Sequence, residues 1–462
     1  MSQTAGHADG EHVPDPLPAG PRMPAIVQTI AYWTRPTAFL ERMRAHHGSR
    51  FTLRLLGLEP IVIISAAEEV REILLAPPEV LHPGEGGKII EPLVGPTSVI
   101  VLDEQAHMEQ RKLMLPPFHG KALASLSGLI GEFAEREVSS WPTSEPVALH
   151  PRLQRVTLEI ILRVVFGLGR GSQLDALREV LTRILAFGDN PLAMLWTLPG
   201  VTSVGPGARQ TRLLEEADRL IFALVEERRA ETSPGDDVLS LLLAARHDDG
   251  SQMTDRELRD ELVTALAAGH ETTASQLAWA FTLLSQAPEL TARLQREVDS
   301  EDEQELLSAT IHEVMRMRPV LPNAEPRVVK KPTRIGDRTY PVGTTLYAST
   351  YLMHHDPSVY PEPYRFRPER FLESPPGTYT WIPFGGGRRR CVGASFAMLE
   401  MHAVLRAALA RYDIHPVTAR AERARRRGII TISPMRGATV VLESRVRSRR
   451  TPLPELQTAT AP

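Results

Sequence analysis

Residues 384–393 read Phe384-Gly385-Gly386-Gly387-Arg388-Arg389-Arg390-Cys391-Val392-Gly393, and Cys391 is the only cysteine among 462 residues. A lone thiol cannot close an internal disulfide, and it is three sulfurs short of a four-cysteine zinc or iron–sulfur site. Three roles remain: a buried inert side chain, a nucleophile, or a single axial metal ligand. The neighbours bear on the choice. Consecutive glycines let the backbone fold tightly and approach a flat object closely, and Gly393 permits the same on the far side of the sulfur. From Val392 onward the chain turns helical, with Met401, Val404, Leu405, Ala408 and Tyr412 recurring at helical spacing. A cysteine at the start of that helix meets its dipole and unpaired amides, which predicts a thiolate of lowered basicity, and the three arginines add positive charge.

The stretch resembles the haem-binding loop of the cytochrome P450 family, whose pattern is Phe, two residues, Gly, one residue, Arg, one residue, Cys, one residue, Gly. Phe384, Gly387, Arg389, Cys391 and Gly393 fill every fixed position. The resemblance implies haem b (iron protoporphyrin IX) as cofactor and Cys391 as the axial thiolate on its iron. It also implies that Phe384 packs near the sulfur and that Arg389 pairs with a haem propionate. A thiolate ligand pushes electron density onto iron and favours cleavage of an O–O bond.

Upstream, residues 256–286 predict one long helix carrying Leu262, Val263 and Leu266, with Ala268-Gly269-His270-Glu271-Thr272-Thr273 in its middle. Small Ala267, Ala268 and Gly269 let a helix lie close to a planar cofactor, whereas two β-branched threonines are poor helix formers. A local distortion of the hydrogen-bond ladder is one way for such a site to make room for ligand or water. The segment is similar to the family's oxygen-binding helix. That similarity implies that Ala268 lies against the haem, that Thr272 serves oxygen activation and that Glu271 relays protons.

Glu313 and Arg316 stand at i and i+3 on a predicted helix, where a carboxylate and a guanidinium can pair. They match the family's buried Glu-x-x-Arg pair, and Pro368-Glu369-Arg370-Phe371 matches the segment that supplies a third member, Arg370; the implied role is to hold the cysteine loop. His107 and Arg111, at i and i+4, present two potential cations on one helical face, suited to a pair of carboxylates. By resemblance they hold haem propionates, and Arg327 after Glu325-Pro326 is a further propionate partner.

Length alone suggests about three domains. The family instead implies one large domain, mainly α with small β-sheets, and no Pro/Gly linker divides the middle of the chain. Val101-Leu102, Leu346-Tyr347 and Val440-Val441-Leu442 are candidate short strands. Residues 1–22 and 451–462, polar or Pro-rich without periodicity, predict disorder on either side of a domain at 23–450. A net charge of -3 and 42% hydrophobic content give no global basicity to suggest nucleic acid. No apolar run approaches the ~18 residues of a membrane span, and the N-terminus lacks a signal peptide's basic and apolar regions, so a cytoplasmic enzyme is expected.

Together these features predict a haem-thiolate monooxygenase that hydroxylates or epoxidises a hydrophobic small molecule. Two rivals stand beside it: a peroxide-driven peroxygenase, in which an Arg-Pro step would replace Glu271-Thr272, and a non-catalytic haem sensor, which has no need of a proton relay. Electrons are expected from a separate ferredoxin or flavodoxin with an NAD(P)H-dependent reductase, docking on a basic patch of Arg111, Lys112, Arg388 and Arg390. Arginines 420–427 and 445–450 are expected as solvated surface. Gly167-Leu168-Gly169-Arg170-Gly171 misplaces the third glycine of a dinucleotide loop. Substrate-facing positions implied by the family fall in 80–100, 170–215, Val320-Leu321-Pro322 and Pro434-Met435. Ile184, Leu185, Phe187, Leu192, Met194, Leu195 and Trp196 make the middle segment apolar, and Pro199-Gly200 with Gly205-Pro206-Gly207 predict a mobile connection.

Overall fold

The computed structural model describes residues 15–167, 172–188, 205–231, 235–300, 304–427 and 430–445. Its axis is the helix Asp255–Ser285, which opens on a capping box: Thr254 accepts from the Glu257 amide while the Glu257 carboxylate accepts from the Thr254 amide. A helix apolar on most sides must be surrounded. The His150–Phe166 helix packs on one side, and Gly120–Ser139, Glu305–Met317 and Ala394–Arg411 complete the same core. Trp279, 1% exposed, anchors the C-terminal half through its indole N–H to the Ile432 carbonyl at 3.2 Å. Truncating it to alanine would cost about 3–5 kcal/mol.

Sheets are small and peripheral to this bundle. Five strands run in the order Arg50–Leu53, Ile61–Ile64, Thr345–Ala348, Arg327–Val329, Leu81–His82. Ile61–Ile64 is buried throughout, as its unbroken apolar run dictates, and pairs in parallel with Thr345–Ala348. Pro146–Ala148, Thr439–Ser444 and Tyr412–Pro416 form a second sheet, and two antiparallel pairs, Thr333–Ile335 with Arg338–Tyr340 and Ala424–Arg427 with Thr431–Pro434, stand apart. The mainly α architecture with small sheets is as expected. No helix among the described residues is long and apolar enough to cross a membrane.

Several local expectations are corrected. Val101-Leu102 is a turn rather than a strand, because the carbonyls around it are taken by Arg389. Tyr412 ends the cysteine helix and opens a strand. Residues 15–22 are not disordered: Asp15 exchanges two bonds with the Thr339 backbone, and Thr52 donates to the Pro18 and Ala19 carbonyls. A proline-rich strip has little freedom to lose on docking. Arginines 423–427 are not simply solvated, since Arg426 lies over the rings of Tyr32 and Trp33 and Arg427 bonds Ser433. Gly205-Pro206-Gly207 opens the helix Gly205–Ala230 instead of a mobile connection, with proline tolerated in the first turn. Ile184 packs between helices with Val180, Leu213 and Ala217. The expectations for 1–14, for Gly169 and its flanks, for Leu192, Met194, Leu195, Trp196 and Pro199-Gly200, and for 451–462 fall outside the described residues.

Candidate active site

The cysteine loop is held close to its neighbours by its glycines. Gly387 has φ +63°, and a Cβ there would lie 2.2 Å from the Leu74 carbonyl oxygen, so only glycine fits. The Cys391 amide donates to the Phe384 carbonyl at 2.9 Å, closing the loop, and the half-buried Phe384 ring meets Trp381 edge-on at 6.0 Å. At Gly393, by contrast, an added Cβ would meet no protein atom within 4 Å. Cys391 is crowded by protein atoms yet retains accessible surface. Burial pushes its thiol above the usual range, against the Gly393 N–H, Arg111 and Arg390. Without a metal, desolvation thus outweighs the amide and the arginines that the sequence makes visible.

A second accessible surface interrupts the buried central helix. Ala268 is exposed and Thr272, one turn on, is half-exposed, while 258–266 and 273–281 are buried. The helix runs unbroken through this stretch, without such a distortion. The Thr272 hydroxyl instead donates back to the Ala268 carbonyl at 2.5 Å. Glu271 turns toward the His150–Phe166 helix. Its Oε2 accepts from Gln154 Nε2 at 2.7 Å; its Oε1 accepts from Ser275 Oγ at 2.7 Å and lies 3.1 Å from His150 Nε2. Burial works to raise this carboxyl, but the bonds and charge of His150, with the Ser275 bond, outweigh it and hold the group at about 2.

His107 and Arg111, on the helix Glu104–Met114, meet Arg327, at the start of the strand Arg327–Val329. Burial, then Arg389, Arg111 and Arg327, push the imidazole of His107 down to about 3, and burial takes Arg327 to about 10. No hydrogen bond joins these three side chains to another described residue, and Arg327 Nε is buried without a partner. The guanidiniums of Arg111 and Arg327, without hydrogen-bond partners among the described residues, fit an anionic group, with His107 as a neutral imidazole beside them. Arg389 is held by protein groups of its own. It donates to the carbonyls of Val99, Ile100 and Leu102 and to Asp103 Oδ1 at 2.8 Å, with Glu325 at 3.8 Å, and so ties the cysteine loop to residues 99–103.

Behind the loop, the Glu313 carboxylate takes Arg316 Nε at 2.7 Å and Nη2 at 3.0 Å, Arg370 Nε at 3.1 Å and the Arg367 amide at 2.9 Å. His354, fully buried, links this cluster to the loop: Nδ1 faces the Arg316 carbonyl at 3.2 Å and Nε2 accepts from the Ile382 amide at 3.0 Å. His150, Gln154, Ser275, Asp103, Glu325 and His354 were not foreseen from the sequence. Each acts on a partner that folding, not spacing, supplies; only Ser275, four residues after Glu271, carried a local signal.

An accessible sulfur crowded by protein atoms, an open cradle over Gly393 and the guanidiniums of Arg111 and Arg327 fit a flat metal-bearing group with carboxylates. A family profile described as Cytochrome P450 matches residues 14–436. Cytochrome P450 135B1 of Mycobacterium tuberculosis (strain ATCC 25618 / H37Rv) is 36% identical over 442 residues, covering 94% of this chain and 92% of the relative. Cytochrome P450 138 of the same strain is 37% identical over 431 residues, covering 93% and 97%. Among solved structures, retinoic acid-bound cyanobacterial CYP120A1 superposes with TM-score 0.79 at 22% identity, covering 93% of this chain and 100% of that one. The cytochrome P450DA haem domain superposes with TM-score 0.81 at 21% identity, covering 94% and 99%. The chain belongs to the cytochrome P450 family, and with it to the haem b monooxygenases.

Proposed function

We propose that the walls around Cys391 and around Ala268 and Thr272 bound one haem pocket, in which Cys391 is the axial ligand of the iron. The observation that carries this reading is a lone cysteine crowded by protein atoms yet accessible, with Arg111 among the charges acting on it and an open cradle at Gly393. His107, Arg111 and Arg327 would hold the propionates, Phe384 would shield the sulfur, and Ala268 would lie against the ring. When bound, the haem supplies the oxygen chemistry; the thiolate's electron donation favours O–O cleavage. Thr272 holds a hydroxyl at the accessible face, and Glu271 is the carboxylate nearest it in sequence that can carry protons.

The substrate we infer is a hydrophobic small molecule such as a fatty acid, terpenoid, steroid or secondary metabolite, oxidised by hydroxylation or epoxidation. Electrons would come in the cytoplasm from a ferredoxin or flavodoxin served by an NAD(P)H-dependent reductase. Exposed Arg388 and Arg390 beside the cysteine favour an acidic donor there, whereas Lys112 is already paired with Asp248 at 2.7 Å. The test is the carbonyl difference spectrum of the reduced enzyme, in which a thiolate ligand gives a strongly red-shifted band. Cys391→His should abolish that band and the activity; a variant that kept both would show the ligand assignment to be wrong.

A further inference from the structure

We propose that His150 is the proton-relay partner of Glu271, taking up a proton at Nδ1 and passing one from Nε2 to the Glu271 carboxylate. This rests on the reading of Glu271 as the group that supplies protons for oxygen activation.

His150 is the first residue of the helix His150–Phe166 and is wholly buried. Its Nε2 stands 3.1 Å from Glu271 Oε1 and 3.2 Å from Ser275 Oγ. Ser275 has one hydroxyl proton and gives it to Glu271 Oε1 at 2.7 Å, so toward His150 the hydroxyl can only accept. Both neighbours of Nε2 are then acceptors, so in the resting neutral ring the hydrogen sits on Nε2. The nitrogen open to an incoming proton is therefore Nδ1, and Nδ1 is buried without a hydrogen-bond partner. Here one nitrogen is fixed on the acceptor and the other is open to receive.

Gln154 holds the second carboxylate oxygen, and its own carbonyl faces His270 Nε2 at 2.9 Å, so Glu271 is fixed while it waits. The titratable groups acting on Glu271 are His150, from the neighbouring helix, and His270, from its own. The turn packed on His150 contributes backbone, the Gly437 carbonyl accepting the His150 amide at 2.9 Å, and the same turn exposes Met435 and Arg436 to solvent. One proton from hydronium forms an N–H bond at Nδ1 and leaves water; the Nε2–H bond breaks as an O–H bond forms at Glu271, so the ring is neutral again with its hydrogen on Nδ1 and one proton has moved inward, and tautomer exchange returns the hydrogen to Nε2 before the next transfer. His150 acts through Glu271 and is thus a positioning and proton-supplying residue.

His150→Gln separates this role from a structural one, because the amide N–H can still donate to Glu271 but cannot pass a proton on. In the haem-loaded enzyme with saturating donor and a turned-over substrate, His150→Gln should slow turnover by about tenfold, part of the roughly 10²–10⁴ that positioned proton transfer supplies. It should also enlarge the solvent deuterium isotope effect and flatten the pH profile. Infrared spectroscopy supplies a readout independent of turnover: the Glu271 carboxylate band should respond to a change of pH in the parent and stay fixed in His150→Gln. If His150→Gln matches the parent in rate, isotope effect and pH profile while His150→Phe fails, the histidine is only a structural donor and the relay is overturned. In that case a slow Glu271→Gln leaves the role of Glu271 standing. A Glu271→Gln enzyme indistinguishable from the parent would remove both.

Discussion

Replacing Glu313 by glutamine keeps the shape of the side chain and removes the charge that two buried guanidiniums share. Both Glu313 and Arg316 have no exposed side-chain surface, and Arg370 is only 7% exposed, so water cannot take over as partner. An amide can accept at one oxygen, where the carboxylate takes two nitrogens of Arg316, one of Arg370 and the Arg367 amide. Breaking a buried pair by neutralising one partner costs about 3–5 kcal/mol. That is a large share of the roughly 5–15 kcal/mol by which a domain is stable. The damage should also reach the haem site, because His354 bridges the Arg316 carbonyl to the Ile382 amide, just ahead of Phe384. Denaturant unfolding followed by helix content gives the stability, and haem per chain gives the loading; both should fall, with the unfolding midpoint moving well below the parent's. Changing the whole cluster to apolar residues of similar volume should recover part of the stability, since the cost lies in stranded charge. A Glu313→Gln protein within about 1 kcal/mol of the parent and fully loaded with haem would refute the argument.

Two further outcomes follow from the cavity walls. Thr272→Ala removes the back-bond to Ala268 and raises local helix propensity by a few tenths of a kcal/mol, so folding and haem content should survive. Product formed per NAD(P)H should fall by roughly tenfold, with reduced oxygen released as peroxide or superoxide; tight coupling in the variant would show that the hydroxyl does not serve oxygen activation. Gly387→Ala places a Cβ in the left-handed region at a cost of about 1–2 kcal/mol, and pushes it into the Leu74 carbonyl as well. The loop must move, and haem should pass to an acceptor protein faster than from the parent; an unchanged transfer rate would mean that the loop does not depend on that close approach.

What the sequence made legible were the parts whose partners lie within a helical turn or within a motif of fixed spacing. Glu313 and Arg316 pair as i and i+3 residues should, and the long helix runs over almost the predicted span because its apolar residues and its Thr254–Glu257 cap are local facts. The desolvation of Cys391 was not legible, because helix dipole and arginines are visible in the sequence and burial is not. The further partners of Arg389 were hidden for a related reason. Its donors meet carbonyls about 290 residues away, a distance at which no spacing rule operates. Nor could composition show that Glu271 would be enclosed by His150 and Gln154, since that requires two helices to be docked in register.

The segment that includes the failed strand, Val101-Leu102, shows what replaces regular structure beside the site. Thr97 donates its amide and hydroxyl to Asp260, Ser98 meets the Thr264 hydroxyl at 2.7 Å, and the Val99 amide donates to Glu261 at 2.7 Å. Those partners all belong to the central helix. The carbonyls of Val99, Ile100 and Leu102, with Asp103, face the other way and take Arg389 of the cysteine loop. Donors are therefore used on one side and acceptors on the other, which leaves none for a neighbouring strand and explains the irregular backbone. The consequence is mechanical. Residues 97–103 form a strap between the helix that carries Thr272 and the loop that carries Cys391. Displacing either element must break bonds in the strap or drag the other with it, so the two walls of the proposed haem pocket are held in register by the strap's backbone and side-chain bonds.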